Sequence, residues 1–246
     1  MLSCISPSKP AIVLYSDRLS QPGRTVSIFL KASNIPYEEK EVSFIKGDNR
    51  SDDFTAMQPL GTVPFMKDGD LGIPECIAQM RYVSDKYGSW LYPKDPVDRV
   101  QIDAALSWYH LNIRLPVIGS VFYRIIGPFV PKSLEYYLTP CNLPLETPLN
   151  KETPEHIKEY SWQLLQRSLD TIEKTWLKPF VGGNKLTVAD ILWASELEQL
   201  NMMPDTNLKE IITKYPRIQS WLTMVKSRLS PHWEEVHAGV RAMKTN

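Results

Sequence analysis

Three stretches in the first ninety residues carry groups able to hold and activate a small anionic ligand. Ser20 stands just before Pro22, where an apolar run, Ala11 to Tyr15, has ended and a helix can open. A serine there is most simply an N-cap, its oxygen accepting a free backbone amide, yet the same hydroxyl keeps a proton to donate. Val63-Pro64 lies at the start of a short apolar run, where a cis proline would turn a main-chain N–H and C=O towards a ligand. Glu75 opens a helical pattern, and free amides with a partial positive charge favour an anion at such a place. Each has a plain structural explanation when taken alone: a cap, an edge proline, an acid matched to a helix dipole. Their coincidence at strand ends in one small α/β unit marks the place where open sheets bind ligands.

The elements that must position them follow from periodicity. Ala11–Tyr15 has the length and composition of a strand, and Val26, Ile28, Phe29, Leu30 and Ala32 keep helical spacing until Asn34 and Pro36. Tyr37 to Phe44 alternates and predicts a half-exposed strand. Val63–Met66 and Leu71–Ile73 flank Lys67-Asp68-Gly69-Asp70, a hairpin signal. Glu75 to about Tyr87 predicts a helix. The order strand, helix, strand, short helix, strand, strand, helix describes a mixed sheet with one parallel β-α-β unit.

Gly88 to Pro96 reads as a linker, and no convincing strand follows it. Helical patterns run from Val97 to about Tyr123, Pro154 to Trp176, Val188 to Leu200, Leu208 to Tyr215 and Ile218 to Leu229, and Pro231 opens a last one. An α/β module followed by a helical one predicts two domains. Gly127 to Thr153 is proline-rich and lacks a period, which predicts a long loop, often a functional feature. Thr187 and Asp190 have the spacing of a capping box, a folding feature with no catalysis assigned.

Composition narrows the classes. The chain has 246 residues, 43% hydrophobic and 23% charged, with 28 basic and 28 acidic side chains. A neutral chain has no long-range field to draw it to nucleic acid or an anionic membrane, so neither is expected as a partner. Cys4, Cys76 and Cys141 form no CxxC pair and no disulfide framework, which predicts a reducing, cytoplasmic setting. The four histidines, His110, His156, His232 and His237, show no metal-ligand spacing, and no metal is expected. Leu115 to Val130 is too short and too broken to span a bilayer.

One ordered set of fragments carries a family resemblance. Leu14-Tyr15-Ser16-Asp17-Arg18-Leu19-Ser20-Gln21-Pro22-Gly23-Arg24 resembles the start of theta-class glutathione transferases. So do Pro59-Leu60-Gly61-Thr62-Val63-Pro64, Lys67-Asp68-Gly69-Asp70 and Glu75-Cys76-Ile77-Ala78. The likeness continues through Tyr92-Pro93, the stretch from Asp103 to Arg114 with Trp108 and His110, Leu186 to Asp190, and Pro231-His232. It covers nearly the whole chain in register. The resemblance implies a thioredoxin-like α/β N-terminal domain over 1–88, a linker over 89–95, and an all-α C-terminal domain over 96–246 that lines the electrophile pocket.

It also implies roles. Ser20 matches the serine that donates a hydrogen bond to the sulfur of glutathione, the co-substrate. A thiol near pKa ~8.5 needs roughly 2.7 kcal/mol to move down by about two units. One hydrogen bond to a charged acceptor supplies about 1.5–3 kcal/mol. Arg114 matches an arginine that helps hold the thiolate, although a salt-bridge role on an amphipathic helix is an equally simple explanation. Val63, before Pro64, would pair its backbone with the cysteinyl part of glutathione. Glu75 would bind the γ-glutamyl amine, with the amides at Cys76 taking its carboxylate. Asp103 matches an acid that reaches glutathione from a neighbouring subunit, which implies a homodimer.

The chain departs from the family at Cys76, where serine is usual, at Thr62 in place of lysine, and at Asn49 in place of histidine; the last two remove groups near the glycine carboxylate. Pro131 to Pro148 is longer than in relatives. The expected activity is attack of the thiolate on a small apolar, halogenated or peroxide electrophile, with peroxidase chemistry as a side activity. The alternative is a non-catalytic ligand carrier on the same fold. A thiol-disulfide enzyme would need cysteine at position 20. Cys76 reads as a structural thiol on composition alone.

Overall fold

The computed structural model describes residues 11–121, 155–203 and 206–242. The chain divides into two compact units, Met1–Ser89 and Trp90–Asn246. The proline-rich segment from Gly127 to Thr153, with Cys4 and Cys141, lies outside the described residues.

In the first unit, β1 (Ile12–Ser16) is followed by α1 (Gln21–Ala32), β2 (Tyr37–Glu41), α2 (Asp52–Met57), β3 (Phe65–Asp68), β4 (Leu71–Ile73) and α3 (Cys76–Val83). The sheet order is β2-β1-β3-β4. β1 and β2 are parallel, with Ile12 opposite Tyr37, while β1–β3 and β3–β4 are antiparallel. The hairpin turn is two residues, Gly69-Asp70, closed by Asp68 opposite Leu71. Gly69 sits at φ +61, where glycine avoids the clash of a Cβ. Along β1 the side chains alternate, Ile12, Leu14 and Ser16 being buried. Val42, Phe54, Val63 and Phe65 form a further buried cluster, with Tyr15 and Phe44 packed on it.

Two strand expectations are trimmed. β2 ends at Glu41: Val42 N–H still donates to the Ser16 carbonyl of β1 at 3.0 Å, but beyond it Phe44 N–H donates to Asp17 Oδ2 and Ser43 N–H to Asp48 Oδ2. Val63-Pro64 precedes β3 and does not open it, and Lys67-Asp68 belongs to the strand.

The second unit is helical among the described residues: α4 (Pro96–Tyr109), α5 (Leu115–Val121), α6 (Glu155–Thr171), α7 (Val188–Glu198), α8 (Leu208–Ile211), α9 (Pro216–Leu229) and α10 (His232–Ala242). Asp95 caps α4 by accepting from the amides of Val97 and Asp98. A wider helical turn over His110–Arg114 joins α4 to α5, so the expected single helix changes its winding there. The expected helix from Leu208 to Tyr215 is one turn long, ending at Ile211, and Tyr215, before Pro216, is held out of helical geometry.

Every residue of α7 is buried, three carboxylates included. Asp190 completes the capping box by accepting from Thr187 N–H at 2.8 Å and Thr187 Oγ1 at 3.0 Å. Its other oxygen accepts from Val181 N–H and Trp221 Nε1, both at 2.8 Å. Burial pushes the Asp190 carboxyl up to about 6, while these four donors pull the other way. Glu198 pairs with Lys226 at 2.8 Å and Arg241 at 3.2 Å. Trp108, Trp176 and Trp193 pack as a triad with ring centroids 5.3–5.5 Å apart. Among the described residues no helix is long and apolar enough to cross a membrane.

Candidate active site

The turn from Ser16 to Ser20 carries the first functional side chain, and it is held from several sides. Ser20 N–H donates to the Asp17 carbonyl at 2.9 Å, and Leu19 N–H to Asp17 Oδ1 at 2.7 Å. From below, the fully buried Arg24 donates Nη1 to the carbonyls of Arg18 (2.9 Å) and Leu19 (3.0 Å). A charged donor serving two carbonyls fixes the backbone on both sides of the serine. Gly23 allows α1 to start this close: a Cβ there would lie 3.1 Å from the Asp17 carbonyl oxygen.

Ser20 is 6% exposed and has two bonds of different quality. Its oxygen accepts the Gly23 amide at 3.3 Å, the expected cap. Its proton faces the Val63 carbonyl at 3.5 Å, the far edge of hydrogen-bond range. The donor is therefore weakly engaged and open to a stronger acceptor.

The Val63-Pro64 peptide bond is cis, as the sequence allowed. Before it, Gly61 adopts φ +60, and a Cβ there would meet the Asn49 carbonyl oxygen at 2.7 Å. Asn49, buried, donates Nδ2 to the Gly61 carbonyl at 2.9 Å, and Gln58 Nε2 donates to Thr62 Oγ1 at 3.1 Å. Asn49 and Thr62, where the resemblance led to an expectation of histidine and lysine, thus take part in building this turn.

Glu75 is exposed and is the N-cap residue of α3 at φ 65, ψ 116, a backbone region unfavourable to any residue with a Cβ. Cys76 behind it is buried at 4% exposure. Gln79, one turn into α3, is fully buried and donates Nε2 to the carbonyls of Pro64 and Ile73, each at 2.9 Å. Ser20, Val63 and Pro64 are thus directly linked, and Gln79 ties Pro64 to the strand end that leads into Glu75 and Cys76.

The remaining expected site residues belong to the second unit. Arg114 Nη1 lies 3.2 Å from Glu196 Oε2, an oxygen that also accepts the Tyr109 hydroxyl. Glu196 is fully buried, so Arg114 has a structural duty as its counter-ion whatever else it does. Asp103 Oδ1 accepts the Tyr92 hydroxyl at 2.6 Å.

Asp17, Arg24 and Gln79 were not singled out from the sequence. The available signal was polarity in the wrong register: Arg24 lies within a helix buried from Gln21 to Leu30, and Gln79 shares the buried side of α3 with Cys76, Met80 and Val83.

Comparison with known proteins adds independent observations. The family description "Glutathione S-transferase, N-terminal domain" matches residues 14–89, and "Glutathione S-transferase, C-terminal domain" matches residues 143–230. Glutathione S-transferase T1 of Arabidopsis thaliana is 32% identical over 232 residues, covering 91% of this chain and 86% of that protein. Human glutathione S-transferase theta-1 is 29% identical over 229 residues, with 91% and 86% covered. Among solved structures, human glutathione transferase theta-2 in complex with glutathione superimposes with a TM-score of 0.81 at 27% identity, covering 95% of this chain and 88% of that one.

Proposed function

The chain belongs to the theta class of the glutathione S-transferase family and is a glutathione transferase, and from that premise we propose that Ser20 activates the co-substrate. In this reading the Ser20 hydroxyl leaves the Val63 carbonyl and donates to the glutathione sulfur, favouring the thiolate that attacks an apolar electrophile. The observation that carries it is the 3.5 Å contact: a buried donor with a weak partner, on a turn locked by Asp17 and Arg24. The Val63 main chain pairs with the cysteinyl part, while Glu75 and the amides at Cys76 take the γ-glutamyl end. One solved theta-class structure from human holds glutathione, and a second such structure holds the glutathione conjugate of 1-menaphthyl sulfate, which supports a conjugating reaction. Halide displacement and peroxide reduction begin from the same thiolate and belong to the same proposal.

Arg114 is proposed as a second group acting on the thiolate, with Nη1 already engaged by Glu196. A homodimer, with Asp103 serving the neighbouring subunit's glutathione, finds support on α4, where Val97 and Val100 are 77% and 55% exposed, and on the turn that follows it, where Leu111 is 70% exposed. With Ala104, also exposed, Val97 and Val100 form an apolar stripe at helical spacing along α4, which Leu111 continues beyond its end. A cytoplasmic setting, without metal, nucleic acid or membrane, rests on the balanced charge and on cysteines and histidines that show no paired or metal-ligand spacing in the sequence.

The test is ultraviolet titration of the bound glutathione thiol in wild type and Ser20→Ala. The expected result is a thiol titrating about two units below free glutathione in wild type, with most of that shift lost in the variant. Saturable glutathione binding with an unshifted thiol would instead make the protein a ligand carrier.

A further inference from the structure

We infer that Gln79 is a positioning residue for glutathione recognition, holding the Val63-Pro64 segment and the Glu75–Cys76 helix start at a fixed separation. The inference rests on the proposal that this site takes glutathione. Gln79 is fully buried on α3, and both hydrogens of its amide go to main-chain carbonyls, Pro64 and Ile73, each at 2.9 Å. Only the amide nitrogen can serve two carbonyl acceptors, so chemistry settles which way the side chain faces.

Stability alone does not account for a glutamine here. Its Oε1 is buried with no hydrogen-bond partner among the described residues, which offsets what the two N–H bonds contribute. Methionine would fill the same volume beside the buried Met80 and Val83 and remove that stranded acceptor, while leaving the Pro64 and Ile73 carbonyls without their amide donor, so the exchange brings little net change in stability. What the amide adds is a link between two loops that are fifteen and six residues away in the chain. Pro64 follows Val63, the residue proposed to pair with the cysteinyl part of glutathione. Ile73 lies two residues before Glu75, proposed to take the γ-glutamyl end. A ligand that must touch both loops at once is sensitive to their spacing. The Ser20 hydroxyl, held through Asp17 and Arg24, is supported by separate bonds. Gln79 therefore governs affinity and leaves the sulfur chemistry alone.

The test replaces Gln79 by Met, and by Leu in case the first variant folds poorly. Glutathione binding is followed by calorimetry, the bound thiol by ultraviolet titration, and residues 62–66 and 73–77 by hydrogen–deuterium exchange. The expected result is about tenfold weaker glutathione binding with an unchanged bound-thiol pKa, a denaturation midpoint near that of wild type, and faster exchange in both peptides. Affinity within about twofold of wild type overturns the inference. So does a loss of affinity that tracks a lowered denaturation midpoint, since that marks general loosening. If wild type itself fails to bind glutathione, the proposed function falls, and exchange alone judges the tether: unchanged exchange at 62–66 and 73–77 overturns it, and faster exchange upholds it.

Discussion

The Ser20 hydroxyl and the Val63 carbonyl stand 3.5 Å apart, joining the head of α1 to the residue before a cis proline. The next carbonyl, that of Pro64, is taken from α3 by Gln79 at 2.9 Å. One dipeptide is thus held by two helices, weakly on the side where a proton must be released and firmly on the other. The difference matters because a donor already locked in a short bond would have to break it before reaching a thiolate.

Ser20 both caps a helix and offers a proton, and substitution can separate the two. Ser20→Ala is expected to lower unfolding stability by about 1 kcal/mol, the usual effect of losing a cap. Ser20→Asp keeps a cap acceptor, and its denaturation midpoint is expected to stay near wild type. Its negative charge repels the thiolate, so conjugation should fall at least as far as in the alanine variant. Chemical denaturation paired with steady-state kinetics makes the comparison.

At Glu75 the backbone conformation and the carboxylate pull in opposite directions. With φ at 65, glycine would relieve strain of about 1 kcal/mol. Glu75→Gly is therefore expected to unfold at higher denaturant while the KM for glutathione rises several-fold. Equal KM values in the two proteins would remove Glu75 from the γ-glutamyl contact.

Gly61 has no tolerance for a side chain. Its φ of +60 and the Asn49 carbonyl oxygen 2.7 Å from any added Cβ lead to an expected loss of about 2 kcal/mol in Gly61→Ala. The displaced turn carries Val63 with it, so glutathione affinity should drop in the folded fraction. Urea unfolding and calorimetric titration of the same sample would show both.

The raised Asp190 carboxyl sets a pH dependence. Its folded value of about 6 lies above the ordinary 3.8, so between those values the native state holds a proton that the unfolded chain has released. Its contribution is complete below about pH 4, declines as pH climbs through 6, and is level above. The unfolding free energy of wild type minus that of Asp190→Asn is expected to fall by about 3 kcal/mol from pH 4 to 7. A difference that rises over this interval would mean the four donors outweigh burial.

The sequence was most readable where a residue's job concerns its immediate neighbours. The Asp-Gly turn, the proline at the head of α1, the Thr187–Asp190 box and the strand ends at Ser20, Val63 and Glu75 all follow from local spacing. Arg24, Asp17 and Gln79 were opaque because each serves backbone groups chosen by tertiary packing. Gln79 reaches a carbonyl fifteen residues back, and nothing in a linear pattern separates it from a surface glutamine. Arg114 shows the same limit: Glu196, its ion-pair partner, lies 82 residues away. The end of β2 was misjudged for a related reason, since the Asp17 side chain draws away the Phe44 amide that would have extended it past Val42.

The buried carboxylates of α7 also bear on how the helical unit comes apart. Asp190 is bonded to Trp221 on α9, Glu196 to Tyr109 on α4 and to Arg114, and Glu198 to Lys226 on α9 and Arg241 on α10. Peeling α4, α9 or α10 away would abandon an ionised or hydrogen-bonded group in an apolar interior, which costs more than exposing the helix alone. Partial opening is thereby penalised relative to complete opening. These helices should melt in one cooperative step, and a protease should find no cleavable intermediate among them before the unit opens as a whole.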